Sequence, residues 1–276
     1  MDAWIIALLS LVGTALFIFA VYLILIAPAG SRDIKKYAKV KFAHRGLHGD
    51  GAAENSLTAF RAAADAGFGI ELDVRLSKDG VLMVFHDDTL ERVTAAEGRV
   101  DAYTAEELCK MRLMDTDDCI PTLDEVLKVV DGRVTLLVEI KEDPGVSAVS
   151  EALAKRLADY NGPYVVESFN PLSLATFSKA LPKVSRGILS HRYYEYEKYR
   201  KPLYFLLQIL LFNRICRPSF VAYDHRHAGS PALKLARHLG AVTYAWTVRS
   251  AEEERAAYKN GFDSVIFEGY IPDTDK

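Results

Sequence analysis

Beyond residue 40 the chain keeps switching its hydrophobic period, and that alternation limits its fold more than any other feature. Runs rich in Val, Ile, Leu and Phe read as strands over 41–46, 70–77 with a continuation at 81–86, 135–141, 164–169, 185–190, 220–224, 242–248 and 264–267. Amphipathic stretches between them read as helices over 56–66, 123–130, 146–160, 171–180, 230–239 and 251–260. Strict alternation calls for a parallel sheet covered by helices. With 70–86 counted as one position, there are eight units over about 230 residues, the repeat of an α/β chain folded as a (β/α)8 TIM barrel. An open doubly wound sheet is the structural alternative. Residues 88–120 interrupt the pattern as a polar insertion, with a helix start at Tyr103-Thr104-Ala105-Glu106-Glu107.

The barrel is not the whole chain. Residues 3–27, 25 in a row, carry no charge, and as a helix they would be about 37 Å long, enough to cross a ~30 Å hydrocarbon core. Trp4 is placed for one interface, and Pro28 and Gly30 for the exit. A cleaved signal peptide is the alternative, since Ala27-Pro28-Ala29 has the pattern of a cleavage site. Asp2 in place of a basic leader, and an apolar run beyond 7–15 residues, favour a retained anchor. The division expected is an anchor over 1–30, a basic linker over 31–41 and a barrel over 42–276. Arg32, Lys35, Lys36, Lys39 and Lys41 follow the span and no basic residue precedes it, so the barrel is expected in the cytoplasm.

Charge excludes one class of partner. The 276 residues carry 34 basic and 37 acidic side chains, a net of −3, so no nucleic-acid partner is expected. No protein partner is predicted either. Cys109, Cys119 and Cys216 are an odd number at unpatterned spacing, which is neither a disulfide framework nor a zinc site and fits a reducing compartment.

In a parallel barrel, chemistry collects at the C-terminal strand ends, and the unusual polar residues fall there. His44-Arg45-Gly46 closes the first strand. Glu71 and Asp73 are two apart in the second and share a face, with Leu72 opposite. Two inward carboxylates repel and are costly to desolvate unless a cation or a basic partner holds them. A hard divalent ion, Mg²⁺ or Ca²⁺, answers that need; an internal salt bridge to Arg75 or Lys141 is the alternative. Glu139 and Lys141 share a face of the next strand, and His86 ends the continuation 81–86. Tyr223-Asp224-His225-Arg226-His227 offers a second cluster, read as a solvated loop in preference to a metal site. Phe169 and Trp246 suit either a pocket wall or core.

Taken in order, His44-Arg45-Gly46, Glu54-Asn55-Ser56 with Ala59-Phe60, Glu71-Leu72-Asp73-Val74, His86-Asp87, Glu139-Ile140-Lys141, Ser168-Phe169 and Trp246-Thr247-Val248 resemble the glycerophosphodiester phosphodiesterases over about 41–270. The resemblance implies a TIM barrel and one divalent metal held by Glu71, Asp73 and Glu139. It also implies a base and an acid at His44 and His86 and phosphate contacts from Arg45 and Lys141; beside it, Glu54 is read as orienting Arg45 or a neighbouring site group, with simple helix-start electrostatics as the alternative. The implied reaction is hydrolysis of a glycerophosphodiester or lysophospholipid to an alcohol and sn-glycerol 3-phosphate, free or acylated. A phospholipase D-like lyase making a cyclic phosphate, or a tethered headgroup binder, are the alternatives. Two departures stand out. Ala53 takes the place of the family's Pro before Glu-Asn, with Ser56 still able to cap the next helix. Phe267-Glu268-Gly269-Tyr270 replaces the usual Thr-Asp-x-Pro, which alters the last loop.

One further segment is expected to meet lipid. The apolar stretch 203–212 lies within 193–217, between strands five and six, bracketed by Lys198, Arg200, Lys201, Arg214 and Arg217 and preceded by a cluster of tyrosines. It is too short to span a bilayer, and an apolar face with basic ends suits an anionic leaflet. A buried outer helix of the barrel is the alternative.

Overall fold

The computed structural model describes residues 2–29, 33–114, 116–143 and 145–273. Its one sheet holds β1 (Phe42–Ala43), β2 (Gly69–Leu76), β3 (Leu82–Val84), β4 (Leu136–Ile140), β5 (Tyr164–Ser168), β6 (Arg186–Ser190), β7 (Phe220–Asp224), β8 (Val242–Val248) and β9 (Ser264–Phe267). All but β3 are parallel, and β1 pairs with both β2 and β9, so the eight-stranded barrel closes. The helices are α1 (Ala3–Ile26), α2 (Leu57–Asp65), α3 (Ala105–Leu108), α4 (Leu123–Val130), α5 (Ala148–Leu157), α6 (Pro171–Ala180), α7 (Pro202–Gln208), α8 (Asn213–Cys216), α9 (Pro231–His238) and α10 (Ala251–Lys259).

Alternation along each strand builds two cores. Ile70, Leu72 and Val74 of β2 and Leu136, Val138 and Ile140 of β4 face the helices. The intervening positions face the barrel axis, where Phe42, Leu137, Val165, Phe220 and Tyr244 fill the lower half. A Cβ on Gly187 would lie 1.9 Å from the Phe220 ring, so that ring claims the space a side chain on β6 would need. The upper half of the same lumen is polar. The barrel is therefore an apolar floor beneath a charged mouth.

Three expectations change in detail. The first strand, read as 41–46, stops at Ala43, because Arg45 and Gly46 take φ of 57° and 83° and turn the chain. A Cβ on Gly46 would sit 2.9 Å from the Ala59 carbonyl carbon, so glycine is what lets α2 approach. The continuation 81–86 does not extend β2. It folds back antiparallel as β3, Val84 opposite Val74, through a turn whose Asp79-Gly80 pair is a hairpin signal. The segment 33–41 is built into the barrel floor: Ile34 is 3% exposed among the lumen residues, and Tyr244 donates to the Tyr37 carbonyl at 2.9 Å. Lys41 is buried against Glu254 at 2.7 Å. Arg32 of the expected linker lies outside the described residues.

The insertion 88–120 carries a small core of its own, with Leu90, Val93, Leu108, Leu113 and Ile120 closing over Met83 and Phe85 of the β3 region. Thr104 caps α3 with a reciprocal Glu107 contact, and Ser56 caps α2. The three cysteines are free thiols. α1 is 24 residues long with a mean hydropathy of 2.6, long and apolar enough to cross a membrane by length and composition. Most of it is exposed and only its last turns pack on the barrel.

Candidate active site

Strand register sets the site. Asp73, Glu139 and Glu167 are Cα partners across β2, β4 and β5, so their side chains leave the sheet at one level on the lumen side. Glu71 lies two residues below Asp73 on the same face. Glu71, Asp73 and Glu139 are all buried, and one oxygen from each lies within 4.8 Å of the others. That span is about twice a 2.0–2.6 Å oxygen–cation distance, so one hard divalent ion fits among them.

The electrostatics show what the cluster lacks. Lys141 reaches Glu139 at 2.7 Å and Asp73 at 3.2 Å, and Arg45 Nε lies 3.4 Å from Asp73. Burial by itself favours a neutral Asp73, but Lys141, His86 and Arg45 outweigh it and hold the carboxyl well below its usual range. Glu71 moves the other way: burial, then repulsion from Asp73 and Glu139, raises it well above. Glu139 is raised too, chiefly by burial. The Lys141 contact to Asp73 is an ion pair at Oδ1, and that oxygen accepts no hydrogen bond. The protein's own cations neutralise only part of this group, and a divalent ion would supply the rest. The alternative partner Arg75 pairs with Asp88 at 2.6 Å instead.

Each histidine is tied to a carboxylate. Nδ1 of His44 lies 2.8 Å from Glu268 Oε2, and Nδ1 of His86 lies 2.5 Å from Asp87 Oδ1. The hydrogen bond and charge of His86, with those of Arg92, hold Asp87 far below the usual carboxylate range; the His44 hydrogen bond brings Glu268 to about 2. An ionised carboxylate only accepts, so each Nδ1 carries the proton and donates it. Nε2 is then the atom each imidazole has to offer. Burial lowers His44 to about 4 against the pull of Glu268, so it is neutral at pH 7.

His44, Arg45, Glu71, His86, Glu139, Lys141, Phe169 and Trp246 surround one small pocket of about 160 Å³ at the C-terminal end of the barrel. Phe169 and Trp246 meet edge to face at 5.5 Å, the Phe169 ring lies 5.9 Å from the Lys141 ammonium, and Trp246 Nε1 has no acceptor. Both aromatics are therefore wall. Glu54 accepts from Arg45 at 2.8 Å at the pocket's edge. Asn55 donates to Asp73 at 2.9 Å, and the Arg45 amide donates to Glu71 at 2.9 Å, so the turned backbone after β1 helps seat both acids.

Four residues that the sequence assigned no role in the site belong here. Glu167 is a fourth buried carboxylate, raised well above its usual range by burial and by Glu139 and Glu71. Glu268 stands where the last loop departed from the expected pattern, and there it orients His44. Arg249 lines the pocket and lies 3.4 Å from Glu268. Arg92, from the insertion, binds both Glu54 and Asp87. The 223–227 cluster is consumed internally. Asp224 pairs with Arg226 and lies 3.5 Å from His227, whose Nε2 is 2.8 Å from Glu195. Among the described residues the only acidic or histidine group able to hold a metal is Glu71, Asp73 and Glu139.

The sequence pattern of the glycerophosphoryl diester phosphodiesterase family matches residues 44–269. The chain belongs to that family. Membership makes it an enzyme, a glycerophosphodiester phosphodiesterase. It is similar to a glycerophosphodiester phosphodiesterase from Caldanaerobacter subterraneus subsp. tengcongensis, 32% identical over 81% of this chain and 91% of the relative. Glycerophosphodiester phosphodiesterase 1 of Homo sapiens is 28% identical over 84% of this chain and 77% of that protein. The barrel matches a Thermotoga maritima glycerophosphodiester phosphodiesterase structure with a TM-score of 0.64 at 26% identity, covering 83% and 94% of the two chains. An Oleispira antarctica phosphodiesterase, solved with the product sn-glycerol-3-phosphate, shares the fold with a TM-score of 0.71 at 23% identity over 84% and 94%.

Proposed function

We propose that this glycerophosphodiester phosphodiesterase is a membrane-anchored, divalent-cation-dependent hydrolase. It would cleave a glycerophosphodiester or lysophospholipid to an alcohol and sn-glycerol 3-phosphate or its acylated form. One arrangement carries the reading. Two imidazoles, each fixed through Nδ1 to a carboxylate, face the same small pocket as the buried acids Glu71 and Glu139 and the cations Arg45 and Lys141, with an oxygen of Asp73 within 4.8 Å of those of both acids. A pure headgroup binder has no use for two proton carriers.

Glu71, Asp73 and Glu139 would hold Mg²⁺ or Ca²⁺, which supplies Lewis-acid neutralisation of the phosphoryl oxygens when bound. Arg45 and Lys141 bind the anionic phosphate and stabilise the charge that builds on its equatorial oxygens. His44, neutral near pH 7, takes at Nε2 a proton of the attacking water, whose oxygen bonds to phosphorus as the bond to the leaving alcohol breaks. His86 gives a proton from Nε2 to the leaving alcohol, its ring held in place through Nδ1 by Asp87. Phe169 and Trp246 exclude water from one side of the pocket. α1 is read as the retained anchor, N-terminus outside, with the barrel in the cytoplasm on the strength of the basic residues that follow it.

Phosphorus NMR of purified enzyme with glycerophosphocholine tests the reaction. Appearance of sn-glycerol 3-phosphate with no cyclic phosphate is the expected result; a cyclic phosphate as product would replace hydrolysis by a lyase reaction. His86→Ala should lose ~10²–10⁴-fold in rate while keeping cation affinity, whereas Glu71→Ala should weaken the cation itself. Near-normal turnover by His86→Ala would sink the acid–base assignment. Labelling of intact cells with an impermeant thiol reagent, at a cysteine introduced in 33–41, tests topology; strong labelling would put the barrel outside.

A further inference from the structure

We propose that the pocket mouth faces the bilayer that α1 spans, and that the substrate is an acylated glycerophosphodiester taken directly from that bilayer across the rim formed by residues 192–208. This deepens the phosphodiesterase reading and rests on it, and on α1 being retained.

The direction of α1 relative to the barrel carries the inference. At its lower end the Ala29 amide donates to the Pro218 carbonyl at 2.8 Å, just before β7 begins at the floor. One turn higher Asn213 donates to the Ile26 carbonyl at 3.0 Å, and Tyr22 donates to the Ile209 carbonyl at 2.9 Å. The 207–209 stretch is level with the mouth: Ser190, the last residue of β6, donates to Leu207, and the Tyr194 amide donates to Gln208. From residue 29 back to residue 22, then, the chain climbs the barrel wall from floor to mouth, the upper part of that climb being the last turn of α1. The 19 residues from Ala3 to Val21 continue past the mouth for about 28 Å, close to the thickness of a hydrocarbon core. A membrane around them lies against the end of the barrel where the pocket opens.

That end is dressed for a lipid surface. Leu203 and Phe205 of α7 are 54% and 45% exposed beside the emerging helix, while Leu210 is only 1% exposed and belongs to the core. Between 192 and 201 the rim carries four basic and two acidic residues, with Lys198, Arg200 and Lys201 all exposed. Inside the rim, rings run in contact from the pocket outward. Phe169 and Trp246 touch His191 at 6.0 and 6.1 Å, and His191 touches Tyr193 and Tyr196 at 4.0 and 5.6 Å. The pocket holds a headgroup and glycerol but no acyl chain, and this aromatic track is where a chain leaving it can lie, its other end still in the bilayer.

The full chain, reconstituted in phosphatidylcholine vesicles containing an anionic phospholipid, gives the test. With Cys109→Ser and Cys119→Ser as background, a fluorophore is attached at Leu203→Cys or at Lys259→Cys on the floor. Brominated lipids should quench the first strongly and the second little; equal quenching, or the reverse, overturns the proposal without reference to activity. In parallel, Leu203→Ser with Phe205→Ser should cut turnover of vesicle-borne lysophosphatidylcholine about tenfold, leaving soluble glycerophosphocholine turnover and Tm unchanged. Equal loss on both substrates, or none on either, overturns it. Wild-type protein that cleaves neither substrate would instead remove the phosphodiesterase reading.

Discussion

Arg92 grips Glu54 with both terminal guanidinium nitrogens, at 2.6 and 2.9 Å, across 38 residues of sequence. Its Nε simultaneously donates to Asp87. Glu54 is the residue that holds Arg45, and Asp87 is the residue that holds His86. One guanidinium from the insertion therefore ties Arg45, the proposed phosphate ligand, to His86, the proposed proton donor, and it helps keep both carboxylates ionised, beside Arg45 at Glu54 and His86 at Asp87.

Arg92 touches neither the pocket nor Glu71, Asp73 and Glu139, so its loss should act through position alone. Arg92→Ala is expected to lower kcat about 10–100-fold, with cation affinity intact and little change in Tm because the side chain is half exposed. Arg92→Lys should recover little, since an ammonium does not reproduce the two-pronged contact. Steady-state kinetics with a parallel melting curve decide it; a large fall in Tm with kcat preserved would make Arg92 a structural residue.

The acid cluster makes a separate expectation. Glu71, Asp73 and Glu139 repel one another in a buried site, so a divalent cation should stabilise the fold as well as activate it. At a hundredfold excess over its Kd, the expected rise in Tm is about 5–10 °C. Asp73→Asn should abolish the rise. Differential scanning calorimetry with Mg²⁺, Ca²⁺ and chelator measures it, and a rise that survives Asp73→Asn would place the ion elsewhere.

The barrel was legible because its strands are short, mainly apolar runs and its helices keep a 3.6-residue period, so each element declared itself locally. His44, Glu71, Asp73, His86 and Glu139 were legible for a related reason: they break apolar strands near their C-terminal ends, at spacing two where paired. Glu167 has the same character, but as a single acid in Val-Val-Glu-Ser-Phe it shows nothing of its register with Glu139. Glu268 looked like a defect in the last loop until the closure of β9 on β1 brought it to His44. Arg92 was hidden most deeply, since its two partners meet it only after the 88–120 insertion has folded over β3. The reversal at Asp79-Gly80 was readable from that dipeptide alone.

His191 gives a stability prediction with a definite sign. Burial among Phe169, Trp246 and the rim tyrosines lowers it from 6.5 to about 4. Between those values the unfolded chain binds a proton that the folded chain refuses, so stability rises with pH. Its contribution is fully present above 6.5 and is lost progressively as pH falls toward about 4. His191→Phe keeps a ring in the cluster and removes the titration. The variant's Tm should therefore fall less than the wild type's between pH 7 and pH 4.5, in chelated protein on both sides of the comparison. Parallel curves would show that His191 takes up its proton as easily folded as unfolded.

Glu268 offers the sharpest separation of orientation from charge. Its carboxylate fixes the His44 tautomer with Nε2 free, and it also raises the affinity of that imidazole for a proton against the larger effect of burial. In Glu268→Gln an amide can either accept from Nδ1–H or donate to bare Nδ1, so both tautomers are served and the proton no longer has a fixed place. The rate near neutral pH should fall by ~10²–10⁴-fold. With the negative charge gone the imidazolium is less favoured, so any acid limb of kcat/KM that belongs to His44 should move to lower pH. Glu268→Asp, which keeps the charge on a shorter arm, should retain the position of that limb while still losing rate. A pH–rate series on the three proteins reads both quantities at once. A Glu268→Gln enzyme with wild-type kcat and an unmoved profile would mean that His44 needs no carboxylate, and that the departure in the last loop is neutral.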